Sequence, residues 1–209
     1  KLLWRPERKL RFEVHPTLTL TQGQTLDELS TGVTRDSEEL LPLTYAIVDD
    51  PQLELKARLD RASMRWDIKR LRMTLGRQPV TFGKGRVFTP LDLVSPFSPT
   101  TIDNSYKPGV DALRLDWFEG MSGRVTLVGA YLGDPGEGLD DWTMDQSTFV
   151  AHAKGSAGDN WELEGFAGWL YDEPVLGASV FYNGGFIGCY GDINVTIADD
   201  EPFVRSVLG

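Results

Sequence analysis

Between Glu54 and Arg86 the chain sets ten basic residues (Lys56, Arg58, Arg61, Arg65, Lys69, Arg70, Arg72, Arg77, Lys84, Arg86) against three acidic ones (Glu54, Asp60, Asp67). Guanidinium and ammonium groups at this density do electrostatic chemistry: they hold anions and orient dipolar solutes. On neighbouring strands so many like charges repel unless something anionic or wet faces them. Two other groupings invite chemistry and fail. His15 and His152 are the only histidines, and His15 shares a strand face with Glu13 and Thr17 as any polar strand would arrange them. Neither is assigned a catalytic role, and no enzyme activity is expected. Phe82-Gly83-Lys84-Gly85 lacks the earlier glycine of a phosphate loop, has Pro79 close by, and puts Gly85 where Ser or Thr is needed.

Composition sets the outer bounds. The 209 residues carry 21 Lys+Arg against 31 Asp+Glu, a formal charge of −10, which argues against a nucleic-acid partner. The single Cys189 excludes an internal disulfide and a thiolate metal cluster. The hydrophobic fraction is 41% and the mean hydropathy −0.24, with no apolar run long enough for a membrane-spanning helix. Strands that alternate lipid-facing and lumen-facing residues have ordinary mean hydropathy, so a membrane is still allowed. Lys1 is not an initiator Met and the FVRSVLG ending stops within a strand-like run, so a portion of a longer chain is expected.

The elements that must position the basic residues read as strands. Leu10, Phe12, Val14, Pro16, Leu18 and Leu20 alternate with Arg11, Glu13, His15, Thr17, Thr19 and Thr21. About ten residues of this pattern is what a tilted strand needs to cross a bilayer. Gln22 to Glu39 reads as an acidic loop, and Leu40 to Val48 as a short strand or buried segment. From Leu53 to Asp67 the alternation shifts phase, which calls for a bulge near Asp60 or Arg61. Asp67 to Arg70 is a tight hairpin connection, and Leu71, Met73 and Leu75 begin the return strand. Further alternation runs through Leu113 to Trp117, Val125 to Tyr131, Phe149 to Lys154, Asn160 to Tyr171, Val175 to Tyr182 and Ile187 to Val195. Gly133 to Ser147 is Gly-rich and acidic; its spacing fits no calcium loop, so it reads as a solvated external link. The total is about ten strands, with short turns at 67–70, 119–123, 156–159 and 183–185 opposite longer polar links. Trp161, Trp169 and Tyr171 sit at the two ends of an apolar strand face, as interfacial aromatic girdles require. Pro79 to Gly109 is too long and too apolar for an ordinary loop, with Phe82, Val87, Phe88, Leu91, Leu93, Val94, Phe97 and Ile102 to bury.

GRQPVTFGKGRVFTPLDLVSPF followed by YKPGVDALRLDW resembles a segment of bacterial outer-membrane β-barrel proteins of the porin and alginate-export group. The match rests on Gly76-Arg77-Gln78, on Phe82-Gly83, on Thr89-Pro90 with Asp92, and on Pro108 to Ala112, about a third of the chain with its surroundings. The resemblance implies an antiparallel up-and-down transmembrane β-barrel in the outer membrane, and it fixes no substrate. These proteins close with a terminal aromatic strand, whereas this chain ends at Gly209.

The combined expectation is one all-β domain over 1–209, an incomplete barrel whose long loop, 79–109, folds inward. It would act as a porin-like channel for small polar or charged solutes. Arg58, Arg61, Arg65, Arg72, Arg77, Lys84 and Arg86 would form a basic wall, facing Asp92, Asp103, Asp111 and Asp116 across the lumen. Outer-membrane lipid and small polar solutes or ions are the expected partners; no cofactor or metal is expected, and homo-oligomerisation is left open. Two other classes share the strand rhythm. A soluble β-sandwich or jelly-roll ligand-binding module would cover its Trp and Leu faces with a second sheet. An outer-membrane barrel enzyme would depend on His15 or His152.

Overall fold

In a computed structural model, which describes residues 1–22, 40, 43–50, 52–83, 90–94, 109–131, 147–198 and 202–209, the alternating segments form one antiparallel sheet. Its twelve strands are β1 (Leu2–Glu7), β2 (Leu10–Gln22), β3 (Thr44–Asp50), β4 (Leu53–Ile68), β5 (Leu71–Gln78), β6 (Val110–Glu119), β7 (Gly123–Tyr131), β8 (Ser147–Ala157), β9 (Trp161–Leu170), β10 (Glu173–Asn183), β11 (Gly188–Ile197) and β12 (Pro202–Leu208). Neighbours in sequence are neighbours in space, except that β2 pairs with β4 while β3 lies along the first half of β4 on its other side. Among the described residues the sheet is not closed: β1 and β12 form its two ends. Two strands exceed the expected ten: β12, which takes in the strand-like FVRSVL run, and β1, whose LLWRPE carries no alternation that marks it out.

The phase shift in β4 is a bulge. His15 pairs with Arg61 and Pro16 with Leu59, which leaves Asp60 as the extra residue. Pro16, having no N–H to give to a ladder, sits at that irregularity. Tyr171 and Asp172 both take positive φ (50° and 69°), the two-residue hairpin geometry that matches strand twist. Gly76 is obligatory, with φ at +105° and the Ala62 carbonyl oxygen 2.3 Å from where a Cβ would lie.

Strand directions place the connections after β1, β4, β6, β8 and β10 at one end of the sheet, and all are short. The three long links, 23–43, 79–109 and 132–146, all leave from strand ends on the opposite side. Long links thus occur only at that end, although 51–52, 171–172 and 198–201 are short connections there as well.

The two faces differ in kind. One carries Trp66, Leu75, Leu113, Trp117, Leu127, Phe149, Trp169, Leu176 and Val204, each roughly half exposed. The other carries Arg65, Arg72, Arg114, Asp116, Thr126, His152 and Glu164, together with the apolar residues that make the core. That core joins Val128, Val150, Phe166, Leu170 and Val175 of the strands to Val80, Phe82, Leu91 and Val94 of the 79–109 connection. The described parts of this loop thus pack on the polar-parity face, over β8 to β10. Phe82 lies 4.7 Å from the His152 ring and 5.5 Å from Phe166, centroid to centroid. Leu91 fits where Gly177 has no side chain: a Cβ there would sit 2.2 Å from Leu91 Cδ2. Burying these side chains holds the described parts of the connection against the sheet, since each apolar side chain taken out of water contributes about 1.5–3 kcal/mol.

Candidate functional site: a basic basin on the polar face

A cavity of about 400 Å³ lies on the polar face beside the docked loop. β2 contributes Arg11 and Glu13, and β4 contributes Arg61, Ser63 and Arg65. Arg72, Thr74 and Gln78 come from β5, Arg114 and Asp116 from β6, and Arg124 from β7, with Lys1 and Pro79 at the margin. Seven cationic side chains therefore line it against two carboxylates. Register explains the convergence. Arg65 stands directly between Arg11 and Thr74, Thr74 faces Arg114, and Arg72 lies between Asp67 and Asp116.

Among the described residues the carboxylates stand close to the cations they pair with. They are interleaved with the arginines, mostly two residues away on the same strand and so on the same face. Arg114 grips Asp116 through Nε (2.9 Å) and Nη2 (2.9 Å), and the Thr126 hydroxyl donates to the same carboxylate at 2.7 Å. Arg58 pairs with Asp60 at 3.2 Å, Lys56 with Glu54 at 2.7 Å, and Arg11 with Glu13 at 3.8 Å. Arg72 donates to Asp67 from across the hairpin at 2.6 Å and stacks over Phe118. This local pairing tethers some of the arginines. The Nε donors of Arg11, Arg65 and Arg124 are nevertheless shut off from solvent with no hydrogen-bond partner among the described residues.

Of the residues singled out from the sequence, Arg61, Arg65, Arg72 and Asp116 meet in the basin. Arg58 sits higher on β4, held by Asp60, which also accepts from Thr17. Arg77 and Asp111 do not belong to the basin. They are cross-strand partners in the row of Ala62 and Tyr131, on the parity of Leu75 and Leu113. Only 1% of Arg77 and 9% of Asp111 is exposed. Two parallel bonds join them (3.2 and 2.9 Å), and Arg77 also donates to the Leu59 carbonyl at 3.2 Å. The pair is a structural clamp on the β4–β5–β6 junction. Asp92 is buried in the loop segment and does not line the basin. Lys84, Arg86 and Asp103 lie outside the described residues.

No family model, no curated protein and no solved structure matches this chain. The site is therefore read on its own geometry.

Arg11, Glu13, Arg114 and Arg124 were missed as basin residues, although a signal existed. Each lies on the polar parity of a clean strand, and Arg114 alternates with Leu113 and Leu115. What a single sequence lacks is the register that brings them beside Arg65. His152 Nε2 meets Glu164 Oε2 at 2.9 Å, both buried, with the Phe82 ring against His152, and His15 pairs in register with Arg61. Among the described residues no group of three or more His, Cys, Asp or Glu is placed to hold a metal ion.

Proposed function

We propose that this sheet is part of an outer-membrane β-barrel and that it works as a porin-like channel for small polar or charged solutes. The observation that carries the reading is the apolar face. From Trp66 on β4 to Val204 on β12 it presents large side chains about half exposed: Leu113 41%, Leu127 48%, Trp169 55%, Leu176 56% and Val204 57%. A water-soluble monomer rarely exposes so continuous an apolar surface. No described segment forms a second layer over it, as a β-sandwich would need. Acyl chains are the natural solvent for this face, and a shallow apolar trough between Leu113, Leu127, Phe149 and Trp169 is floored by the small Gly129, Ala151 and Ala167.

Three further features support the reading. Aromatic residues mark both ends of the face: Trp66, Trp117 and Trp161 toward the short turns, Phe149, Trp169 and Tyr171 toward the long links. The opposite face carries charge that would be costly against lipid but is at home beside water. The loop packed on that same face narrows whatever space it encloses. A spanning sheet leaves no unpaired edge in lipid, so further strands or another copy must meet β1 and β12 in the membrane. The resemblance of the Gly76 to Trp117 segment to outer-membrane barrel proteins points the same way.

Planar-bilayer recording of the refolded protein tests this. Ohmic, long-lived single-channel steps are expected. Folding into vesicles without any conductance would leave the apolar face explained and the channel reading wrong.

A further inference from the structure

We infer that the basin is a binding site for small multivalent oxyanions, phosphate-like or dicarboxylate, and that Arg65 is its centre. In the proposed function this makes the lumen anion-selective, a step that rests on the channel reading; the binding itself does not.

Three observations lead there. The first is imbalance: seven cations against two carboxylates in one cavity of about 400 Å³, in a chain whose formal charge is −10. Positive charge is thus gathered here against the run of the whole molecule. The second is register. Arg11 and Arg65 stand directly opposite each other, a like-charge pair that destabilises a sheet unless an anion bridges it. The third is the set of unmet donors. Arg11 and Arg65 each hold a buried Nε–H with no hydrogen-bond acceptor among the described residues, and the buried Nε–H of Arg124 has only the Asp116 carboxylate at an ion-pair distance of 4.0 Å, too long for a hydrogen bond. A buried donor left without a partner costs about 1–3 kcal/mol, and an incoming oxyanion supplies the missing acceptors.

The chemistry fits the ligand class. A guanidinium presents its N–H groups as a planar fork that matches two oxygens of a carboxylate or phosphate. The two carboxylates are already engaged, Asp116 by Arg114, Thr126 and more distantly Arg124, Glu13 by Lys1 and Arg11, so neither is available to hold a cation. Ser63 and Thr74 add hydroxyls beside Arg65, and the volume suits a small solute rather than a polymer.

The test is isothermal titration of the detergent-refolded chain at low ionic strength with orthophosphate, with succinate and with chloride, repeated on R65Q. Saturable binding of orthophosphate or succinate, well above chloride, is expected, weakened about tenfold or more in R65Q. Which of the two binds tighter identifies the ligand. Because Arg65 makes no hydrogen bond or close ion pair among the described residues, only longer-range attraction to Asp67 and Glu13, R65Q should refold with wild-type heat-modifiability on gels. If it does not, R124Q removes another unmet donor and carries the same comparison. No saturable binding of either oxyanion, or equal affinity in wild type and variant, overturns the site. Reversal potentials across a KCl gradient separate the two claims. A channel that prefers cations, with oxyanion binding intact, overturns the selectivity step. Absence of conductance sinks the channel reading while the titration still decides the site.

Discussion

Replacing Leu127 by Arg puts the membrane reading at direct risk. Leu127 is the middle residue of β7, with four strand residues on either side, and its side chain is 48% exposed on the apolar face. If that face meets lipid, Leu127 lies near the bilayer midplane, where an introduced Arg costs about 2–4 kcal/mol. If the face meets water, the same change alters stability by no more than about 0.5 kcal/mol. Val125, two residues toward the Gly120 turn, is 45% exposed on the same face. It lies roughly 7 Å along the strand, so V125R should cost measurably less, because the penalty falls toward the interface. The assay is urea unfolding of wild type, L127R and V125R refolded into phosphatidylcholine vesicles, followed by tryptophan fluorescence and extrapolated to water. A cost for L127R within about 0.5 kcal/mol of zero, or equal costs at the two depths, would refute the placement of this face in lipid.

Other consequences can be checked with single substitutions. Asp111→Ala strands the Arg77 guanidinium in a buried site and should destabilise the fold by about 3–5 kcal/mol in the same unfolding assay; a loss below 1 kcal/mol would mean the pair is hydrated. Gly177→Val removes the seat of Leu91, so trypsin should cleave at Lys84 or Arg86 faster and single-channel conductance should rise. Unchanged cleavage and conductance would show that the loop is not held there. Arg72→Glu sets a carboxylate against Asp67 and Asp116 and should shift the reversal potential toward cations, whereas an unmoved potential would take Arg72 off the solute path.

The strands were legible because alternation is local. A period of two in Leu10 to Gln22 or Trp161 to Leu170 needs only that one face be apolar, whatever the neighbour. The bulge at Asp60 was legible for the same reason, as a change of phase within one strand. β1 escaped because LLWRPE has no such period and is placed only by pairing with β2. Arg77 and Asp111 stood out by charge alone, whereas it takes the register to show them as mutual partners beside Gly76. The acidic partners were sought on distant segments, yet Asp60 and Asp116 compensate arginines two residues away on their own strands. That spacing was readable; which arginines remained over after it was satisfied was not, since it depends on bringing β2, β4, β6 and β7 side by side. The apolar loop residues announced that they needed a partner, and Phe82 and Leu91 found it on the polar-parity face, where Gly177 leaves the room.

Spin labelling along β6 and β7 probes the central claim most directly. In a Cys189→Ala background, single cysteines at Leu113, Leu115, Val125 and Leu127 and at Arg114 and Arg124 would each carry a nitroxide in the vesicle-inserted protein. The account predicts that relaxation by oxygen dominates at the first four and relaxation by a water-soluble nickel chelate at the last two, alternating residue by residue. Nickel access at Leu113, Leu115, Val125 and Leu127 equal to that at Arg114 and Arg124, or protection of those four from both reagents, would contradict it.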